Sequence, residues 1–341
     1  MAAFMPPSPV TGVVGRTPSA AVSPWRPRQL RAPRWSSPPA PCRWRASAGA
    51  PTPAAAARTS GAPHLSPGDT IAVVGATGGV GLLTLRRLAA LPGAPYALRA
   101  VSRSTPADGL LPRGVTAVRG DVRRPAGSSG GSGGGGGDGG SGSGGSVDSL
   151  AACLADAAVV IISVGTTAFP TPAWRGGNTP RAVDEQGVAA VVAALGPSTT
   201  RVVFVSSIGV ERRGRFPFFA LNAFGVLDAK AAGEALVVAW VAAAPAARSA
   251  VVVRPGRLTG APQTNVGTTW VGGRPAEEEA GVVARGDTLL GDVSRSVTAD
   301  AVAWAVTAEG GGVLDFSVVG RRVEKGRGGD WTADLDGLLV G

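Results

Sequence analysis

The chain is short of the residues that most often carry proton transfer and metal binding. Among its 341 residues are one histidine (His64), one tyrosine (Tyr96) and two cysteines (Cys42 and Cys153). His64 precedes the first predicted strand, so histidine catalysis and histidine metal ligation are excluded from the folded part. Cys42 falls in an N-terminal segment that reads as removable. Cys153 is then alone, which excludes an internal disulfide and a cysteine metal site, and no metal is expected. Cys153 itself is expected on a helix as a small buried hydrophobe. No window of about 18 residues is uninterruptedly apolar, so no transmembrane span is predicted.

Acid is missing from one region only. Lys and Arg number 33 against 23 Asp and Glu, a net charge of +10. Eight of the basic residues, all arginine, lie in residues 1–65, which hold no acid, so the remainder has 25 basic against 23 acidic residues. The basic character thus belongs to the N-terminal segment, and nucleic-acid binding is not expected of the rest. Residues 1–60 are rich in Ala, Pro, Ser and Arg and lack a continuous apolar core. That composition is expected of an organelle transit peptide with a disordered tail, its Pro and Ser pointing to the chloroplast.

Glycine is plentiful, at 52 residues, and one glycine-rich stretch organises the chain: Ile71-Ala-Val-Val-Gly75-Ala-Thr77-Gly78-Gly-Val80-Gly81. A β-branched run stops at a turn, and an Ala/Leu-rich helical pattern follows at once. Strand, turn and helix present backbone N–H groups to a phosphate at a helix N-terminus. Gly75 is expected to turn the chain off the strand, Gly78 to admit a pyrophosphate, and Gly81 to permit close helix packing. The spacing is G-x-x-G-x-x-G, not the commoner G-x-G-x-x-G. Gly/Ser-rich residues 123–146 are a second glycine concentration, almost without apolar side chains, and are expected to loop out of the domain.

Strands are predicted near 70–74, 97–102, 115–119, 158–164, 201–205, 250–253 and 313–318, with helices at 80–91, 147–154, 181–195, 219–241 and 299–307. Residues 261–295 read as irregular, and 321–341 as a C-terminal tail. Apolar strands alternating with helices predict an α/β, doubly wound, mostly parallel sheet covered on both faces, within residues 68–320. Ligands then bind beyond the carboxyl ends of the strands.

Several polar residues fall at those strand ends. Arg103, flanked by Ser102 and Ser104, stands where an NAD site usually has an acid, and suits a 2′-phosphate. NADP(H) is therefore expected in preference to NAD(H). Asp121 is placed for the adenine edge or as a turn cap, and Gly165 where a cofactor ribose would lie. Ser206 and Ser207 follow the fifth strand near the nicotinamide end. Asn222, Lys230 and Glu234 share one helical segment, and Arg254-Pro255-Gly256 follows the sixth strand.

Taken together, GATGGVG, Ser102-Arg103, Gly120-Asp121, the strand-five serines, Lys230 and Arg254-Pro-Gly resemble the atypical short-chain dehydrogenase/reductase subgroup. Gly165-Thr-Thr-Ala-Phe-Pro, Asn178-Thr-Pro, Val210-Glu211 and Phe224-Gly-Val-Leu resemble its plant and algal chloroplast members. Those are Rossmann-fold proteins related to the dehydrogenase-like component of the inner-envelope translocon. The resemblance runs from about Asp69 to Phe316 outside the Gly/Ser tract. It implies seven strands in the order 3-2-1-4-5-6-7 and a cofactor held by Gly75, Thr77, Gly78, Val80, Gly81, Arg103, Asp121, Gly165, Lys230, Arg254 and Pro255.

The family's catalytic tyrosine lies four residues before its lysine. Here that position is Val226, which cannot transfer a proton. Either the usual reaction does not run, or the proton comes from Ser206, Ser207 or a water held by Lys230. Two expectations follow. One is an NADPH-dependent oxidoreductase acting on a hydrophobic small molecule such as a quinone or isoprenoid. The other is a non-catalytic NADP(H)-binding redox sensor or assembly factor docking a thylakoid or envelope protein. The apolar stretch Phe216–Leu227 serves either, as the packed start of a helix or as a docking surface.

Overall fold

A computed structural model of the chain describes residues 65–93, 95–124, 149–260, 279–324 and 330–339. Residues 1–60, expected to be a transit peptide, and most of the Gly/Ser tract lie outside the described residues.

The first strand, β1 (Thr70–Val74), shows how the core forms. Its β-branched residues alternate between two faces with period two. Ile71 and Val73 join one buried cluster with Leu85, Leu88, Val302 and Phe316. Ala72 and Val74 join a second with Val188, Val191, Phe204 and Val237. Helices α1 (Gly79–Ala89) and, later in the chain, α6 (Arg295–Thr307) cover the first face. The opposite face is covered by α2 (Leu150–Leu154), α3 (Gln186–Ala193) and α5 (Val226–Ala242).

The remaining strands of the main sheet are β2 (Ala97–Ser102), β3 (Thr116–Arg119), β4 (Ala157–Ile162), β5 (Arg201–Val205), β6 (Ser249–Pro255), β8 (Glu279–Arg285) and β10 (Gly312–Arg322). Their order is β3-β2-β1-β4-β5-β6-β10-β8, parallel except for β8, which runs antiparallel to β10. The strand order reverses at β1, which places the crevice between β1 and β4. This is the doubly wound α/β fold that the alternating pattern predicts, with eight strands in place of seven.

The extra strand comes from residues 261–295, read from sequence as irregular. Besides β8, that region contributes β9 (Asp292–Ser294), which pairs with β7 (Arg257–Thr259) in a separate two-stranded sheet. Three-residue strands are too short to show a period. The helix predicted over 219–241 is two: α4 (Phe218–Leu221), then α5. The break is made by Asn222, whose Oδ1 accepts from the amides of Leu227 and Asp228 at 2.9 and 3.1 Å and so caps α5. At the chain end, α7 (Ala333–Asp336) and its flanking turns bury Trp331, Leu335 and Leu338 against the first core cluster. Much of the expected C-terminal tail is thus part of the core.

Candidate functional site: a cleft across the strand ends

A cavity of about 1040 Å³ opens at the carboxyl ends of β1, β2, β4, β5 and β6. The turn after β1 forms one wall. Gly75 has φ 87°, and a Cβ there would lie 2.6 Å from the Ser163 carbonyl oxygen. At Gly81 a Cβ would meet the Gly75 oxygen at 2.5 Å, so both glycines are required to fold the turn against β4. Helix α1 starts at Gly78 with no side-chain cap and no acid in its first turn. Its N-terminal amides and positive dipole end are thus left for an anion at the cleft, the arrangement that suits a pyrophosphate. Gly75, Thr77, Gly78 and Val80 line the cavity; Gly81 shapes the turn behind them.

Arg103 lines the cavity past β2, its Nη1 donating to Asn178 Oδ1 at 2.6 Å. A second arginine, unforeseen from sequence, is Arg123. It donates to both Asp121 oxygens, Nε to Oδ1 at 3.1 Å and Nη2 to Oδ2 at 2.9 Å, and it lines the cavity while Asp121 does not. Asp121 is drawn away from the expected adenine contact because its carboxylate clamps Arg123. Burial would raise its pKa, but the Arg123 hydrogen bonds outweigh this and hold it below the ordinary carboxylate value.

At the middle of the cleft, Lys230 Nζ lies 2.9 Å from Asp184 Oδ1, with the two side chains 10 % and 1 % exposed. The other Asp184 oxygen accepts from the Thr166 amide at 3.1 Å and the Thr166 hydroxyl at 2.6 Å. Asp184 sits in a π-helical turn, Arg181–Glu185, a geometry frequent at functional sites. Gly233 brings α5 against that turn: a Cβ there would stand 2.8 Å from the Asp184 carbonyl oxygen. The contact is an ion pair, Asp184 Oδ1 being a buried oxygen without a hydrogen-bond partner, so the ammonium's donors remain for ribose hydroxyls. Lys230 and Gly165 both line the cavity. Nothing in sequence singled out Asp184; an acid within an apolar helical run is the one signal it gives.

Val226 lies one helical turn before Lys230, is buried, and lines the same cavity. Val226 and Lys230 thus face the same cleft from successive turns of α5. Tyr96 does not line the cavity and packs against the first core cluster. The two serines line the cleft, but their hydroxyls are engaged. Ser206 donates to Glu234 Oε1 at 2.5 Å, and Ser207 to the Ile208 carbonyl at 3.0 Å.

Pro255 lines the cavity and Arg254 does not. Arg254 is buried, with Glu234 bound through Nε at 3.0 Å and Nη2 at 2.8 Å, and Asp315 through Nη1 at 2.5 Å. Burial opposes its charge, but these carboxylates and Glu211 hold its pKa above the usual arginine value. The expected cofactor contact at Arg254 is thus replaced by an ion-pair cluster behind the cleft. On the outer rim, Phe218 is buried with Ile208, Val210, Val226 and Leu227, whereas Phe216, Phe219 and Phe224 are exposed. Phe224 meets Phe169 and Trp174 edge-to-face. Among the described residues no cluster of His, Cys, Asp and Glu could hold a metal, and no helix is long and apolar enough to cross a membrane.

Glycine turn, strand-end cleft and buried lysine stand together on a Rossmann-type α/β fold. The family model described as NAD(P)H-binding matches residues 141–308, downstream of the glycine turn. An oxidoreductase from Lactococcus lactis shares 19 % identity at a TM-score of 0.50, covering 80 % of this chain and 97 % of that one. A Rossmann-fold NAD(P)-binding family protein from Shigella flexneri shares 13 % identity, covering 76 % and 95 %, at 0.44. A short-chain dehydrogenase/reductase from Veillonella parvula, solved with NADP, shares 14 %, covering 74 % and 94 %, at 0.46. No curated protein matches the chain.

Proposed function

We propose that this protein is an NADP(H)-binding, short-chain dehydrogenase/reductase-like protein of the plastid, acting as an NADPH-dependent oxidoreductase on a hydrophobic small molecule. The observation that carries the reading is the pairing of Lys230 with Val226 one turn apart on the wall of a cleft that begins at the Gly75–Gly81 turn. The turn would hold the pyrophosphate, Arg103 the adenosine 2′-phosphate, and Lys230, fixed by Asp184, the nicotinamide ribose. When bound, the nicotinamide supplies or accepts a hydride. The chain orients that group, but Ser206 and Ser207, the two hydroxyls after β5, both donate elsewhere and are not free for a developing oxyanion. Simple ketones are therefore poor substrates, and an apolar acceptor that takes its proton from water suits the cleft better.

A second reading has one observation in its favour. With the tyrosine position apolar and both serines engaged, the same site serves as a cofactor-responsive sensor or docking factor at a thylakoid or envelope protein. Incubating the purified chain with NADPH separates the two. Oxidation stimulated by an apolar quinone supports the enzyme; bound but stable NADPH supports the sensor. The plastid location rests on the acid-free N-terminal segment alone. A reporter carrying residues 1–65 should enter chloroplasts, and a cytosolic signal would remove that part of the proposal.

A further inference from the structure

The cleft extends past β6 into a region the cofactor reading leaves unused. Strand order puts Arg103 after β2 and Arg257 after β6, four strand spacings apart, or about 19 Å along the sheet edge. There β7 and β9 pair in register, Arg257 opposite Asp292 and Thr259 opposite Ser294. Arg257 donates to Asp292 through Nε at 2.9 Å and Nη2 at 2.7 Å. Arg295, next after β9, reaches back with Nη1 to the carbonyl oxygens of Thr259, at 3.1 Å, and Gly260. Both arginines and Asp292 line the cavity, beside Leu258, Leu290 and Phe218.

Among the described residues this end of the cleft holds two guanidiniums, Arg257 and Arg295, against one carboxylate, Asp292. Among the described residues the acceptors for Arg295 are carbonyl oxygens alone, and burial pushes its pKa down with no carboxylate opposing the shift. A guanidinium has five donors, so two bonds to carbonyls leave several for an oxyanion. A part-buried cation whose partners among the described residues are carbonyl oxygens is stabilised by an anion that enters with a ligand.

We propose that the β7–β9 end of the cleft binds the anionic head group, carboxylate or phosphate, of an amphiphilic substrate, whose apolar body lies along Leu258, Leu290 and Phe218. This rests on the cofactor reading above, and gives its hydrophobic substrate a charged end held by Arg295 and Arg257. Asp292 competes with the ligand for Arg257.

The test is calorimetric titration of the full chain, with and without saturating NADPH, using octyl phosphate, octanoate, octanol and octyltrimethylammonium in phosphate-free buffer. Octyl phosphate or octanoate should bind at least about tenfold more tightly than octanol, as one charge-assisted contact allows. The cation should bind least. The ratio of the two anions identifies the head group. Arg295→Gln should lose most of that margin, and Arg257→Gln part of it, while both retain NADPH affinity. Asp292→Asn should tighten anion binding several-fold, a gain that structural damage would not produce. Equal affinity for octanol and the anions, no change in Arg295→Gln, or weaker anion binding in Asp292→Asn would each overturn the proposal. NADPH titrated into the same samples keeps the two readings apart. Absent NADPH binding sinks the cofactor assignment, whereas NADPH binding with equal octanol affinity sinks only the anion site.

Discussion

At the β1–β2 end of the cleft, what is offered to a ligand is mostly backbone: a glycine turn, uncapped helix amides, and Arg103 beside them. At the β5–β6 end, side chains dominate: Lys230 on Asp184, Ser206 on Glu234, Arg254 on two further carboxylates, and Arg257 on Asp292. The first kind of site tolerates sequence change wherever glycines and strand ends are kept. The second depends on each partner, and under the proposed reading the apolar Val226 there leaves the cleft without a proton path while the cofactor end is untouched.

Restoring that path is the largest expected effect. General acid–base assistance contributes about 10²–10⁴ in rate, so Val226→Tyr should raise ketone or aldehyde reduction by a factor in that range while NADPH affinity stays nearly constant. Steady-state assays beside the unmodified chain measure this. Unchanged turnover in a folded variant would place the proton path elsewhere.

Next comes the ion-pair cluster behind the cleft. Glu234→Ala leaves Arg254, 5 % exposed, with only the more exposed Glu211 and Asp315. Breaking a buried pair costs about 3–5 kcal/mol, and the low end is expected here because partners remain. Denaturant unfolding should show that loss. A stability change below about 0.5 kcal/mol, the size seen at ordinary surface sites, would mean the cluster is surface-like.

Arg103→Ala tests the opposite end. A charge-assisted contact is worth about 1.5–3 kcal/mol, roughly 10–150-fold in affinity, and should be lost for NADPH and not for NADH. Equal losses for both cofactors would assign Arg103 a general phosphate role.

The smallest effect is a pH dependence outside the cleft. Asp287 is buried, which raises its pKa, but bonds from Arg212 at 2.8 Å and the amides of Gly209 and Glu211 bring it below the ordinary value. A depressed folded pKa gives stability that is present above the unfolded value of about 3.9 and lost as pH falls through the folded one. The stability advantage of the unmodified chain over Asp287→Asn should therefore hold at neutral pH and shrink below about pH 4. A gap that widened on acidification would reverse the sign.

The same contrast explains what could be read from sequence. The glycine turn, Arg103 and the apolar strands are local patterns, and a parallel sheet covered on both faces follows from the alternation of strands with helices; the strand order came from the family resemblance. The pairing of Lys230 with Asp184 joins residues 46 positions apart through a π-turn, and no spacing announces it. The Arg254-Pro255 pair shows the limit of motif transfer: adjacent in sequence, Pro255 faces the cleft and Arg254 the carboxylates behind it. Strands β7, β8 and β9 were hidden because two are three residues long and the third is an edge strand interrupted by Gly281.

One measurement bears on both ends at once: titrate NADPH into the full chain by nicotinamide fluorescence, then add a simple aldehyde and follow the signal. Saturable one-site binding, tighter than for NADH and followed by little or no oxidation, is the predicted result. Absence of saturable NADPH binding, or rapid oxidation on adding the aldehyde, would contradict an intact cofactor end joined to an interrupted proton path.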